Sequence, residues 1–193
     1  MPKEKIGLMG GSFNPIHERH LEMAACALRE AKLDRVLFLP TGNPPHKKEG
    51  LEDAEHRYEM TRLAVSGIAG FEPCRIELER KGTIYTVDTL SILKEKYPKA
   101  ELYYLIGADT LFQLSTWRQP EEVVRLCSML VMLRPGEDEA GVRACARAWN
   151  ERGAQIDVME GTQDEMSSSE IRRLLAAGEG ISGLVPPAVE EYI

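Results

Sequence analysis

Two nearly unbroken apolar runs, Leu102 to Ile106 (LYYLI) and Met129 to Leu133 (MLVML), limit the folds open to this chain more than any other feature. A strand that is apolar on both of its alternating faces must be covered on each side, as the inner strands of a parallel sheet are. Ile6 to Met9 and Arg35 to Leu39 (RVLFL) repeat the pattern, and segments with apolar residues at helical spacing lie between such runs. Leu21, Ala24, Ala25 and Leu28 follow the first run; Leu90, Leu93 and Tyr97 share a face between Thr86 and Tyr97; Ile171, Leu174 and Leu175 do so between Ser168 and Ala177. The same reading predicts helices at about Glu55 to Ala69, Glu121 to Leu126 and Glu137 to Arg152, and strands at Cys74 to Leu78 and Gln155 to Val158. Gly178 supplies a stop for the last helix. Strands and helices taking turns predict an α/β fold, a Rossmann-like doubly wound parallel sheet with helices on both faces.

At 193 residues, with no linker or repeat to divide it, the chain is expected to form one domain over residues 1–193. Its 24 basic and 31 acidic residues give a net charge of -7, which disfavours general attraction to nucleic acid or anionic lipid. Any phosphate site must therefore be local. Met1 to Lys5 is charged and leads straight into a strand, without a signal-peptide core or an apolar stretch of about 18 residues, so a cytoplasmic protein with no membrane segment is expected. Cys26, Cys74, Cys127 and Cys145 are scattered, with no Cys-x-x-Cys pair, and read as reduced thiols.

Parallel sheets bind ligands beyond the carboxyl ends of their strands, which directs attention to Gly10-Gly11-Ser12-Phe13 after the first strand. Backbone amides in such a turn can approach a phosphate without a side chain intervening. Neither the dinucleotide fingerprint G-x-G-x-x-G nor the Walker loop is present, which counts against an NAD-dependent oxidoreductase and a P-loop enzyme. His17 and His20 fall three residues apart where the first helix begins, so both imidazoles lie on one side of its first turn. Together with helix N-terminal amides they can stabilise charge growing on phosphate oxygens. Two simpler roles compete: one ring caps or packs while the other is exposed, or the pair ligates zinc. Zinc needs a third and usually a fourth ligand, and no such set is visible, so no metal site is expected in the protein itself.

The segment GGSFNPIHERH, residues 10 to 20, resembles the signature of the nucleotidyltransferase superfamily whose motif ends His-x-Gly-His. Met166-Ser167-Ser168-Ser169-Glu170-Ile171-Arg172 is similar to that superfamily's second motif, Ile-Ser-Ser-Thr-x-Ile-Arg. Hydroxyls and free amides at a helix start, with the Arg172 guanidinium one turn in, have the chemistry of a phosphate clamp, although an N-cap serine and a solvated arginine are the plainer readings. The segments between resemble bacterial nicotinate-nucleotide adenylyltransferases: Asn43-Pro44-Pro45-His46-Lys47, Thr83 to Leu90, Ile106-Gly107-Ala108-Asp109 with Thr116-Trp117, and Leu184-Val185-Pro186-Pro187 leading into Tyr192-Ile193.

That resemblance implies ATP and nicotinate mononucleotide as small-molecule substrates, and Mg2+ arriving with ATP rather than held in a carboxylate cage. It implies His17, His20 and Arg172 as catalytic residues. Gly10, Gly11, Ser12, Phe13, Lys47, Gly107, Asp109, Arg134, Ser167, Ser168 and Ser169 would bind ATP, although Asp109 as a helix cap and a solvated loop at His46 and Lys47 compete. Trp117 would stack on the pyridine ring, and the Thr86 hydroxyl with the amides of Val87 and Arg118 would hold the nicotinate carboxylate. A carboxylate only accepts hydrogen bonds, so donors in that place favour the acid over the amide. The oligomeric state is open, a homo-oligomer included.

Two positions depart from the superfamily pattern. Arg19 stands where the motif has glycine; it can turn outward, reach a phosphate, or obstruct the site. Asn14 stands where aspartate is frequent, and its amide can still bond to local backbone. Arg19 keeps two alternatives in view: a nucleotide-binding sensor that has lost turnover, and an adenylyltransferase for another phosphorylated acceptor.

Overall fold

A computed structural model describes residues 2–43, 50–161 and 166–193. Strands β1 (Lys5–Gly11), β2 (Arg35–Pro40), β3 (Phe71–Pro73), β4 (Glu101–Gly107), β5 (Ser128–Leu133) and β6 (Ile156–Glu160) form one sheet in the order β3-β2-β1-β4-β5-β6. All of its pairings are parallel. Two halves thus wind outward from β1 and β4, the arrangement that opens a crevice at the carboxyl ends of those two strands.

The helices are α1 (Glu18–Glu30), α2 (Ala54–Val65), α3 (Thr86–Lys96), α4 (Ala108–Gln113), α5 (Pro120–Leu126), α6 (Glu139–Asn150), α7 (Ser168–Ala176) and α8 (Pro187–Glu190). Alternation along the strands divides the apolar residues between two cores. Leu102, Tyr104 and Ile106 of β4 join a cluster with Leu90 and Leu93 of α3, Val123 of α5 and Val142 of α6. Leu105, one residue out of step, joins the opposite cluster with Ala24 and Ala27 of α1, Met60 of α2 and Ile171 of α7. Both faces of LYYLI are therefore spent on burial, as its composition demanded.

Three expectations need correction. The chain from Cys74 to Leu78 is not a strand: pairing stops at Pro73, and Leu78 and Glu79 donate their amides to the Arg75 carbonyl in a turn. The alternating Cys74 and Ile76 still pack on the core, so the apolar signal was real but served a turn. α4 and α8, six and four residues long, were not anticipated, because fewer than two turns establish no periodicity. The helix expected to reach Ala69 ends at Val65. Gly178 does follow α7, with φ of 70°, the left-handed conformation that glycine adopts without a Cβ penalty. The four cysteines are free thiols. Among the described residues, no helix is long and apolar enough to cross a membrane.

Candidate active site

A cavity of about 810 Å³ lies over the carboxyl ends of β1, β4 and β5. Gly10 and Gly11 line it from β1, Ile106 and Gly107 from β4, and Leu133 and Arg134 from the end of β5. His17 lines it from just before α1, Arg19 and His20 from the first turn of α1, and Ser167 and Ser168 from the start of α7. Thr86 and Trp117 complete a further wall. Segments more than 140 residues apart in sequence thus share one cavity, and two hydrogen bonds fasten them: Ser168 Oγ donates to the Pro15 carbonyl at 2.9 Å, and Arg172 Nη1 to the Asn14 carbonyl at 2.7 Å.

The histidine pair is built from the inside. His17 is the residue before α1, 4% exposed, and its ring lies 3.8 Å from that of His20, centroid to centroid. The His17 amide donates to His20 Nδ1 at 3.2 Å. A neutral imidazole that accepts at Nδ1 must carry its proton at Nε2, so this one bond makes Nε2 of His20 a donor. The reciprocal approach of the His17 ring to the His20 amide falls short of a hydrogen bond, and the buried Nδ1 of His17 is unsatisfied. Buried polar atoms are rarely left so; this one is enclosed, with the His20 amide as its near neighbour. Burial, reinforced by the Arg19 charge, lowers the His17 pKa to about 4; burial and the neighbouring His17, Arg19 and Arg134 push His20 well below its ordinary value. Both rings are neutral at pH 7.

Phe13 is 1% exposed, with φ of 45°, and its ring meets His20 edge-on at 5.1 Å. Its side chain supports the histidine from beneath and does not line the cavity. A bulky residue at positive φ stores strain, which the surrounding packing must sustain. The glycines beside it are required by side chains as well as by any ligand. A Cβ on Gly10 would collide with the Tyr104 hydroxyl, and one on Gly11 would come within 2.9 Å of the Phe13 ring. Gly107 differs: a Cβ there would meet only Arg134 Nη2, at 3.5 Å, leaving that position open for a ligand's approach.

Trp117 stands edge-on to Tyr104 with ring centroids 6.1 Å apart, and the Arg118 guanidinium lies over the Tyr85 ring at 4.6 Å. Tyr104 shares a hydrogen bond with the side chain of Thr86, and burial raises its phenol pKa. Thr86 and Val87 open α3, and first-turn amides of a helix have no intrahelical acceptor. The Val87 side chain, by contrast, belongs to the core.

Of the predicted site residues, Ser12, Phe13, Val87, Asp109, Arg118, Ser169 and Arg172 are not among those lining the cavity. Arg172 bonds to Ser169 Oγ as well as to Asn14, bracing α7 against the glycine turn from outside. Ser167 caps α7, its hydroxyl accepting from the Glu170 amide at 3.2 Å. Asp109 is exposed on the first turn of α4, 3.9 Å from Arg134, which lies equally far from Glu137. His46 and Lys47 lie outside the described residues. Arg19 does not turn away from the site: it lines the cavity and donates to the Met166 carbonyl at 3.4 Å. Asn14 uses both ends of its amide, donating to the Gly50 carbonyl and accepting from the Glu52 amide. An aspartate would lose the first bond. Among the described residues, no group of three or more His, Cys, Asp or Glu side chains has the placement to hold a metal.

One residue at the site gave no sign in the sequence. Arg57 of α2 is 1% exposed, and its guanidinium donates to the carbonyls of Ser12 at 2.8 Å, Thr41 at 2.7 Å and Glu52 at 3.0 Å. A lone arginine on a helix ordinarily reads as solvated, and its acceptors here are main-chain atoms that no side-chain pattern reveals.

Residues 8–174 match the model of the cytidylyltransferase-like family, so the fold and the cavity belong to a nucleotidyltransferase. A protein of Pelobacter propionicus named "Probable nicotinate-nucleotide adenylyltransferase" is 42% identical, with 98% of this chain and 95% of the relative covered. A relative of the same name from Neisseria meningitidis serogroup B is 38% identical over 98% of this chain and 96% of its own. The chain belongs to the nicotinate-nucleotide adenylyltransferase family. Its fold is that of the Plasmodium falciparum nicotinic acid mononucleotide adenylyltransferase solved in complex with NaAD, with a TM-score of 0.80 at 19% identity over 98% of this chain and 94% of that one.

Proposed function

We propose that this enzyme transfers the adenylyl group of ATP to nicotinate mononucleotide, giving nicotinate adenine dinucleotide and pyrophosphate for NAD biosynthesis. The observation that carries this reading is the His20 ring at the cavity, neutral and with its proton fixed at Nε2, opposite the serines of α7. An oxygen of the mononucleotide's 5′-phosphate attacks the α-phosphorus of ATP in line. The bond from that phosphorus to the oxygen bridging the β-phosphate breaks, and pyrophosphate leaves with the electron pair. No protein nucleophile is needed, because such transfers depend on positioning and charge stabilisation.

His20 donates from Nε2 to a phosphate oxygen as its charge grows. His17 supplies a second imidazole at the cavity, neutral like the first. Arg19 and Arg134 are the cationic side chains among the described residues lining the cavity. With the imidazoles neutral, they and the helix-start amides carry the positive potential. Mg2+ accompanying the triphosphate would screen its charge; no residue of the chain is assigned to hold it. At the other end, Trp117 stacks on the pyridine ring, and Thr86 with the first amides of α3 donates to the carboxylate, which a carboxamide cannot match. The Arg172 role is positioning: it holds α7 to the turn that carries the histidines.

Pyrophosphate release measured with ATP, Mg2+ and each of nicotinate mononucleotide, its amide analogue and phosphopantetheine tests the reading. The acid is expected to be the best acceptor. A preference for phosphopantetheine would overturn the assignment, and ATP binding with no product from any acceptor would make the chain a sensor.

A further inference from the structure

Arg57 lies beneath the cavity without touching it: among the described residues, none of α2 lines that space. Burying a guanidinium is costly, and an apolar side chain of similar volume generally satisfies a core at least as well. Two of the three short bonds of Arg57 go to carbonyls of the loops after β1 and β2, the third to Glu52 just before α2, and longer approaches of 3.5 Å reach Thr41 Oγ1 and the Gly42 carbonyl. Ser12 is the last residue of the Gly10-Gly11-Ser12 turn, and Thr41 lines the cavity just past β2. One planar fork therefore spans the loops after β1 and β2, strands that pair up to Gly11 and Pro40 and are joined once more by the Thr41 amide donating to the Gly11 carbonyl at 2.9 Å.

The polar chain continues on the far side. The Glu77 side chain, 6% exposed, accepts from Thr89 Oγ1 at 3.0 Å and from the Gly42 amide. Thr89 stands three residues after Thr86 on α3. Arg80 also reaches Thr89 Oγ1, at 3.2 Å. Ser12, Arg57, Thr41, Gly42, Glu77 and Thr89 thus form a continuous polar series, with Arg57, Glu77 and Thr89 buried, from the phosphate turn to the helix that opens at the pyridine end.

We infer that Arg57 is a positioning residue for nucleotide transfer: its guanidinium sets the distance between the glycine turn and the loop after β2, and so the geometry of the triphosphate end of the cavity. This rests on the adenylyl-transfer reading above. Lysine at this position offers three donors from a single point and cannot reproduce the fork. A purely structural arginine would lower the amount of folded enzyme and leave each folded molecule's kinetics intact.

Arg57→Lys and Arg57→Met are to be compared with wild type and with Val142→Ala, a core truncation in α6 away from the cavity. Steady-state kinetics are run well below the melting temperature and corrected for folded fraction by circular dichroism, and ATP affinity is measured separately at equilibrium. Expected in both Arg57 variants is a rise of about tenfold in KM and Kd for ATP, a smaller rise in KM for nicotinate mononucleotide, and no such shift in Val142→Ala. ATP parameters within twofold of wild type in both variants would overturn the inference. Should Arg57→Met not fold, Arg57→Lys carries the test alone. A wild type that binds ATP but releases no pyrophosphate would sink the transfer reading, while the ATP Kd of the variants would still decide the role of Arg57.

Discussion

The two ends of the cavity are built differently. At the phosphate end, His17 and His20 are packed ring against ring, fixed by a main-chain hydrogen bond and supported by the buried Phe13. At the end proposed for the pyridine, Trp117 is half-buried, and Arg118 is exposed and lies over the face of Tyr85. On the proposed reading the stiff end would meet developing charge, where a misplacement of one ångström costs rate, and the looser end would meet a flat ring that stacking tolerates in several poses. Turnover should therefore depend on the first and affinity on the second.

His20→Ala provides the largest break in that contrast. Turnover is expected to fall about 10²- to 10³-fold, the usual effect of removing one donor aimed at transition-state charge, with the ATP Kd changed far less. Equal losses in both would mean that the ring only binds. Next in size is a pH effect at the same end. His17 titrates near 4 in the folded protein because burial favours its neutral form, and near 6.5 once unfolded. Its contribution to stability is therefore complete above pH 6.5 and is lost as pH falls toward 4. The size is about 3 kcal/mol. Denaturant unfolding at pH 7 and pH 4 should show wild type losing about that much more than His17→Asn; an identical loss would mean that the ring is not held neutral.

The looser end gives smaller numbers. Trp117→Ala is expected to raise KM for nicotinate mononucleotide about tenfold, consistent with one lost stacking partner, and to leave kcat within about threefold. A collapse of kcat instead would remove the distinction between the ends. Smallest is Ser167→Ala, which deletes the N-cap of α7 at a cost of about 1 kcal/mol of stability by chemical denaturation. Because Ser168 and Arg172 make the bonds to the glycine turn, kinetics should hardly change; a large loss of ATP affinity would make Ser167 a ligand rather than a cap.

The same contrast explains what was legible from residues alone. Runs such as LYYLI and MLVML declare a covered parallel sheet because each side chain must be buried somewhere, and the crevice follows from that sheet type. His17, His20, Ser168 and Trp117 were singled out through the motifs they resemble, and the structure brings all four to one cavity. What escaped was fixed by main-chain geometry. The strand expected at Cys74 to Leu78 had the right alternation, but pairing ended at Pro73. Arg57 escaped because its partners are carbonyls, and the outward role of Arg172 because the acceptor is the Asn14 carbonyl. The side-chain role of Phe13 was likewise invisible, since nothing in GGSFNP announces that its ring will lie against a histidine seven residues on.

The Tyr104 hydroxyl fills the space that any side chain at Gly10 would need. Positions 10 and 104 consequently behave as a single choice made twice: Gly10→Ala should be poorly tolerated alone and substantially recovered by Tyr104→Phe, which vacates the volume of one oxygen. An engineer adding a side chain at position 10 has to redraw both strands together, because the larger residue alone sets β1 against β4.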